Sequence, residues 1–137
     1  MSLVLYVMVN QDLKMGKGKI AGQVGHAVEE VILHMLKFQP TLYSHYHSSN
    51  RRKVVLKSTE VEMKSMLEKY GYQFPSKNKS TDGKSEGFKE GEKEGLWCVP
   101  IYDAGMTQIP ANSLTAIGFG VMTKDKAPEE IKQAKLL

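Results

Sequence analysis

Leu3–Val9 is an almost unbroken apolar run containing Val and Tyr, the pattern of a strand covered on both faces. A glycine- and lysine-rich turn follows and opens directly into a segment of helical period. There Ile20, Val24, Ala27, Val28, Val31 and Met35 form an apolar stripe. Lys19, Gln23, His26 and Glu30, at steps of four, three and four, form a polar stripe beside it. The periodicity predicts a helix from about Gly18 to about Phe38, ended by Pro40. Thr41–Asn50 is polar and is expected to be a loop. Lys53–Lys57 (KVVLK) has the composition of a second strand. Thr59 and Glu62 form a capping box ahead of Met63, Met66, Leu67 and Tyr70, with Gly71 as the stop.

Pro75–Gly95 differs in kind. Gly83, Gly87, Gly91 and Gly95 recur every four residues, and glycine at that period weakens a helix. Five lysines cancel five acids within it, and Phe74 and Phe88 are its only anchors. The expectation is a mobile, solvated insertion at about 75–95. Leu96–Tyr102 then reads as a third strand, placed at an edge or bulge by Pro100. Turn residues lead to a fourth strand, Leu114–Val121, and Ala127-Pro128-Glu129 starts a short closing helix. Strands alternating with helices indicate one α/β domain spanning 1–137, with its first two strands parallel.

Composition narrows the class. Of 137 residues, 41% are hydrophobic and 25% charged, ordinary for a globular chain with a real core. No apolar run is long enough for a membrane span, and the N-terminus lacks the features of a signal peptide. A lone cysteine, Cys98, excludes an internal disulfide and suits a reducing compartment; its apolar neighbours make it a structural thiol. A net charge of +4 favours a polyanionic partner, and all of the excess lies outside the insertion.

The chemistry concentrates in Leu13–Ala27, LKMGKGKIAGQVGHA. A helix start offers unpaired N–H groups, Gly16 and Gly18 permit close approach, and Lys14, Lys17 and Lys19 add charge, so the junction suits an anion. It is neither a Walker A loop, since Ile20 follows Lys19, nor a dinucleotide fingerprint, since position 21 is Ala21. Arg51 and Arg52, beside the aromatics of 41–50, suit RNA contact, with a plain surface loop as an equal reading. His45 and His47 have no Cys or carboxylate at ligand spacing, so no metal is expected.

LKMGKGKIAGQVGHA followed by DAGMTQI (Asp103–Ile109) resembles the class 2, archaeal and eukaryotic-type, peptidyl-tRNA hydrolases. The likeness continues through KVVLK and SLTAIGFG. The resemblance implies a three-layer α/β/α sandwich on a four-stranded mixed β-sheet, a cytoplasmic homodimer, and no required cofactor. It implies hydrolysis of the ester joining a stalled peptide to the tRNA 3′ end. The family's active-site lysine falls on Lys19, its acid on Asp103, its threonines on Thr107 and Thr115, and its helix histidine on His26. Lys14, Lys17, Arg51 and Arg52 are the expected tRNA contacts. An ester hydrolase without a nucleophilic Ser or Cys arrangement uses water.

Three positions depart from the family's pattern. Asn10 and Met106 stand where Arg is usual, and Phe119 where Pro is usual. The first two remove cations near the expected site. The alternative reading is therefore a family-fold module that binds RNA or a protein with weak or no hydrolysis.

Overall fold

A computed structural model describes residues 2–71, 95–103 and 112–137. Strand β1 (Leu3–Asn10) is buried along its whole length, as its apolar run requires. Helix α1 (Lys17–Phe38) follows, then α2 (Pro40–Ser48), β2 (Arg52–Ser58) and α3 (Glu60–Tyr70). The chain resumes with β3 (Cys98–Tyr102), β4 (Leu114–Phe119), a two-residue β5 (Met122–Thr123) and the single turn α4 (Glu129–Lys132).

The sheet order is β2-β1-β4-β3, with β5 added beside β1. β1 and β2 are parallel, while β4 is antiparallel to both β1 and β3. The expected four-stranded mixed sheet is thus present, extended by the short fifth pairing. β3 lies at the edge, where Pro100 costs no interior ladder bond.

Alternate residues of β1 serve two cores. Leu5, Val7 and Val9 pack with Ala27, Val31 and Met35 of α1 and Tyr46 of α2. Val4, Tyr6 and Met8 pack with Met63 and Met66 of α3 and Ile131 of α4. The result is the three-layer sandwich. Gly118 sets the depth of its first layer: a Cβ there would lie 2.8 Å from the Val31 side chain and 3.0 Å from the Ala27 carbonyl oxygen.

The expected loop at 41–50 is instead mostly helix. Pro40 ends α1 but occupies the first turn of α2, where its missing N–H has no partner to lose. Leu42, Tyr43 and Tyr46 supply an apolar face, and Tyr46 is fully covered, its hydroxyl donating to the Arg52 carbonyl at 3.1 Å. The capping box of α3 forms as expected: Thr59 Oγ1 accepts from the Glu62 N–H at 3.2 Å, and Glu62 Oε1 accepts from the Thr59 N–H at 2.9 Å. No helix among the described residues is long and apolar enough to cross a membrane. The expected insertion at about 75–95 lies outside the described residues except for Gly95.

Candidate active site

The route from β1 into α1 is a tight reversal. Gln11–Leu13 makes one 3-10 turn, capped by the Asn10 side chain, whose Oδ1 accepts from the Asp12 N–H at 3.0 Å. Lys14 then takes a left-handed conformation, φ 50°, and its N–H donates to the Gln11 carbonyl at 3.2 Å. Gly16 is the N-cap of α1 and offers no side chain to the first-turn amides, and that turn contains no acid. Its positive end thus has no side-chain cap among the described residues, and Lys14 and Lys17 are exposed beside it.

Lys19, the third residue of that helix, reaches across the sheet end to Asp103. Its Nζ donates to Asp103 Oδ1 although 84 positions separate the two. The Asp103 side chain is 3% exposed and that of Lys19 20%, so the pair is buried on the acid's side and open on the amine's. The Asp103 backbone is equally fixed: its N–H donates to the Ser113 carbonyl and its carbonyl accepts from the Asn112 N–H, each at 2.9 Å. The lysine's opposite charge favours the ionised carboxylate.

Thr115 arrives by a different device. Ile101 pairs with Ala116 and Tyr102 with Leu114, so Thr115 is the extra residue of a bulge in β4. The bulge aims its fully buried hydroxyl at α1, where it lies 2.6 Å from Gln23 Oε1 and 3.2 Å from the Ile101 carbonyl. One proton serves both acceptors, and the shorter contact assigns it to Gln23. With Oε1 so engaged, the capacity Gln23 retains is that of its Nε2 donor. Lys19 and Gln23 are four apart on α1, which sets the ion pair and the amide–hydroxyl pair side by side.

Asn10, where the family usually has Arg, is buried and faces the α3 layer. Its Nδ2 donates to the Leu114 carbonyl at 2.9 Å and to Glu60 Oε1 at 3.4 Å. It therefore braces the strand end next to Thr115. Phe119 is wholly buried in the α3-side core. Gln23 was visible on the polar stripe; what singles it out, the hydroxyl of Thr115, comes from 92 residues away.

The other expected residues are placed less centrally. His26 is exposed, one turn beyond Gln23, with no hydrogen bond to Lys19, Asp103 or Thr115. Arg51 and Arg52 are exposed at the far end of the sheet: Arg52 pairs with Val4, whereas the site adjoins Asn10, which pairs with Ser58. Six residues of strand separate the two ends, roughly 20 Å. Thr107 and Met106 lie outside the described residues. Of the two histidines weighed for metal, His47 stacks on Tyr43 with ring centroids 5.7 Å apart. Cys98 is buried, and burial pushes its thiol up to about 12, consistent with a structural and unreactive group.

Residues 3–81 match the family described as peptidyl-tRNA hydrolase PTH2. Archaeal proteins named peptidyl-tRNA hydrolase are similar over nearly the whole chain. That of Methanococcus vannielii is 36% identical and that of Methanococcus maripaludis (strain C6) 37%, each alignment covering 96% of both proteins. The Methanocaldococcus jannaschii protein is 31% identical over 97% of this chain and 98% of its own. With the sandwich fold in place and the match covering more than half the sequence, the chain belongs to the peptidyl-tRNA hydrolase PTH2 family.

Proposed function

We infer that this protein hydrolyses the ester bond of peptidyl-tRNA, releasing the peptide and free tRNA. The observation that carries the reading is the Lys19–Asp103 pair at the start of α1, with Gln23 and Thr115 beside it. Ester hydrolysis needs an oriented water and donors for the oxygen that gains charge. The ionised Asp103 accepts a hydrogen bond from the attacking water and directs its lone pair at the carbonyl carbon. The Lys19 ammonium and the Gln23 Nε2 are donors on the side where the oxyanion develops. Collapse of the tetrahedral intermediate breaks the bond to the ribose oxygen, which leaves as the alcohol after taking, by way of Asp103, the proton that the attacking water gave up. Thr115 holds the Gln23 amide in one orientation, and Thr107 is a second hydroxyl assigned to the site on the family's pattern.

The tRNA phosphates supply the anion for the open end of α1, with Lys14 and Lys17 as flanking cations. Arg51 and Arg52 serve a more distant stretch of the same RNA, and His26 the edge of the site. The substrate arises during translation, which supports a cytoplasmic protein. A homodimer fits Leu33 and Leu36, which α1 leaves about half exposed.

The test is peptide release from a labelled model peptidyl-tRNA by the purified protein. Release well above the spontaneous rate supports the reading. Tight RNA binding without release would leave the non-hydrolytic alternative.

A further inference from the structure

A second concave feature shares no residue with this site. It lies on the opposite, α3–α4 face of the sheet and at the opposite end of β1, a cavity of about 810 Å³. That is within the range of small-molecule sites, roughly 300–1,000 Å³. Its floor is apolar, formed by Val54 and Leu56 of β2, Ile131 of α4 and the ring of Tyr6. Its rim carries Arg52, Lys124, Lys126 and Lys132 against one carboxylate, Asp125. None of the four cations enters a salt bridge among the described residues.

Tyr6 gives the cavity a specific handle. Its ring is packed into the floor, and its hydroxyl, with no hydrogen-bond partner among the described residues, is open to solvent at the cavity. A phenol whose ring is packed and whose hydroxyl is wet exchanges its water for a ligand's acceptor at little cost. Burial raises the Tyr6 pKa above its ordinary value and the nearby Arg52 opposes the shift, so the phenol remains a neutral donor at pH 7. A donor in an apolar floor beneath four cations calls for a ligand with an apolar body and more than one negative charge.

We infer that this cavity binds a nucleoside phosphate, its base on the apolar floor and its phosphate between the Tyr6 hydroxyl and the lysines. A phosphate fits the number of cations better than a single carboxylate does. Asp125 supplies what a purely aliphatic anion would not use, an acceptor for a ribose hydroxyl or an exocyclic amine. The ligand is either a free nucleotide or one nucleotide of a bound RNA. The inference rests on this cavity alone, and its binding arm does not depend on the hydrolase reading.

The experiment is calorimetric titration of the full chain with ADP, and separately with inorganic pyrophosphate, repeated for Tyr6→Phe and Lys126→Glu. Tyr6→Phe keeps the ring and removes only the hydroxyl, and Lys126 is on the surface, so neither change threatens the fold. ADP should bind clearly more tightly than pyrophosphate, and each variant should weaken ADP about tenfold. Peptide release by the same variants then separates the sources. Unchanged kcat and KM indicate a free nucleotide, and a raised KM at constant kcat indicates an RNA nucleotide. The proposal falls if ADP does not bind, if pyrophosphate binds equally well, or if both variants bind ADP like the parent chain.

Discussion

Asp103 and Lys19 do not respond alike to removal. Asp103→Asn takes the charge from the buried side and leaves an ammonium that is one-fifth exposed and can meet water. Its turnover should fall by a factor on the order of a hundred to ten thousand, the scale of a lost acid–base or water-orienting group, with little change in melting temperature. Lys19→Ala removes the opposite charge from a carboxylate that is 3% exposed, so it should lose activity and also lower the melting temperature more than Asp103→Asn does. Parallel kinetics and melting curves for the two variants decide the matter. Full activity in folded Asp103→Asn would remove this residue from the mechanism. The sequence showed Lys19 as a cation at a helix start, but its partner was reachable only through the family's pattern. No local periodicity joins residues 84 apart.

Among the elements, α1 rests on the edge of the sheet through His34. That ring meets Trp97 edge-on, centroids 6.0 Å apart, and stacks near Phe38 at 6.5 Å. Burial, and then the positive charge of Lys37, lower its pKa to about 4. Glu30, 3.9 Å away, favours the charged form, but it is 44% exposed and solvated. Because the folded pKa lies below the unfolded one, the unfolded chain takes up this proton first as pH falls. The stabilisation is full above about pH 6.5 and is lost progressively towards pH 4, a change on the order of 2 kcal/mol. Denaturation midpoints of the parent and of His34→Leu should diverge over that window; parallel pH profiles would contradict the account. The same scale explains why 41–50 reads as a loop and folds as α2. Pro40 stops α1, but a proline that ends one helix can begin the next, and the apolar spacing Leu42, Tyr43, Tyr46 is hidden among polar neighbours. The bulge at Thr115 had no sequence signal, since it depends on the register of β3 against β4.

At the scale of the molecule, β1 was the most legible element, because a strand between two layers must be apolar on both faces. The sandwich followed from it. Among the described residues the two cores draw on both sides of 72–94, and Gly71 bridges to Cys98, so the two described ends stand together. We therefore expect that deleting 76–94 and joining the ends with a short Gly-Ser bridge leaves a soluble protein with an unchanged far-ultraviolet spectrum and a similar melting temperature. An insoluble or unfolded product would mean that the segment contributes to a core. The cavity beneath Tyr6 was not legible at all, because its lining is gathered from both ends of the chain.

Asp103 is held by two backbone bonds, to Asn112 and Ser113, as well as by Lys19. The acid's backbone is thus tied to the foot of β4, and its carboxylate to α1. A sequence change that slips β3 against β4 would carry the acid away from Lys19, so the register of this edge pair is under selection for chemistry as much as for packing.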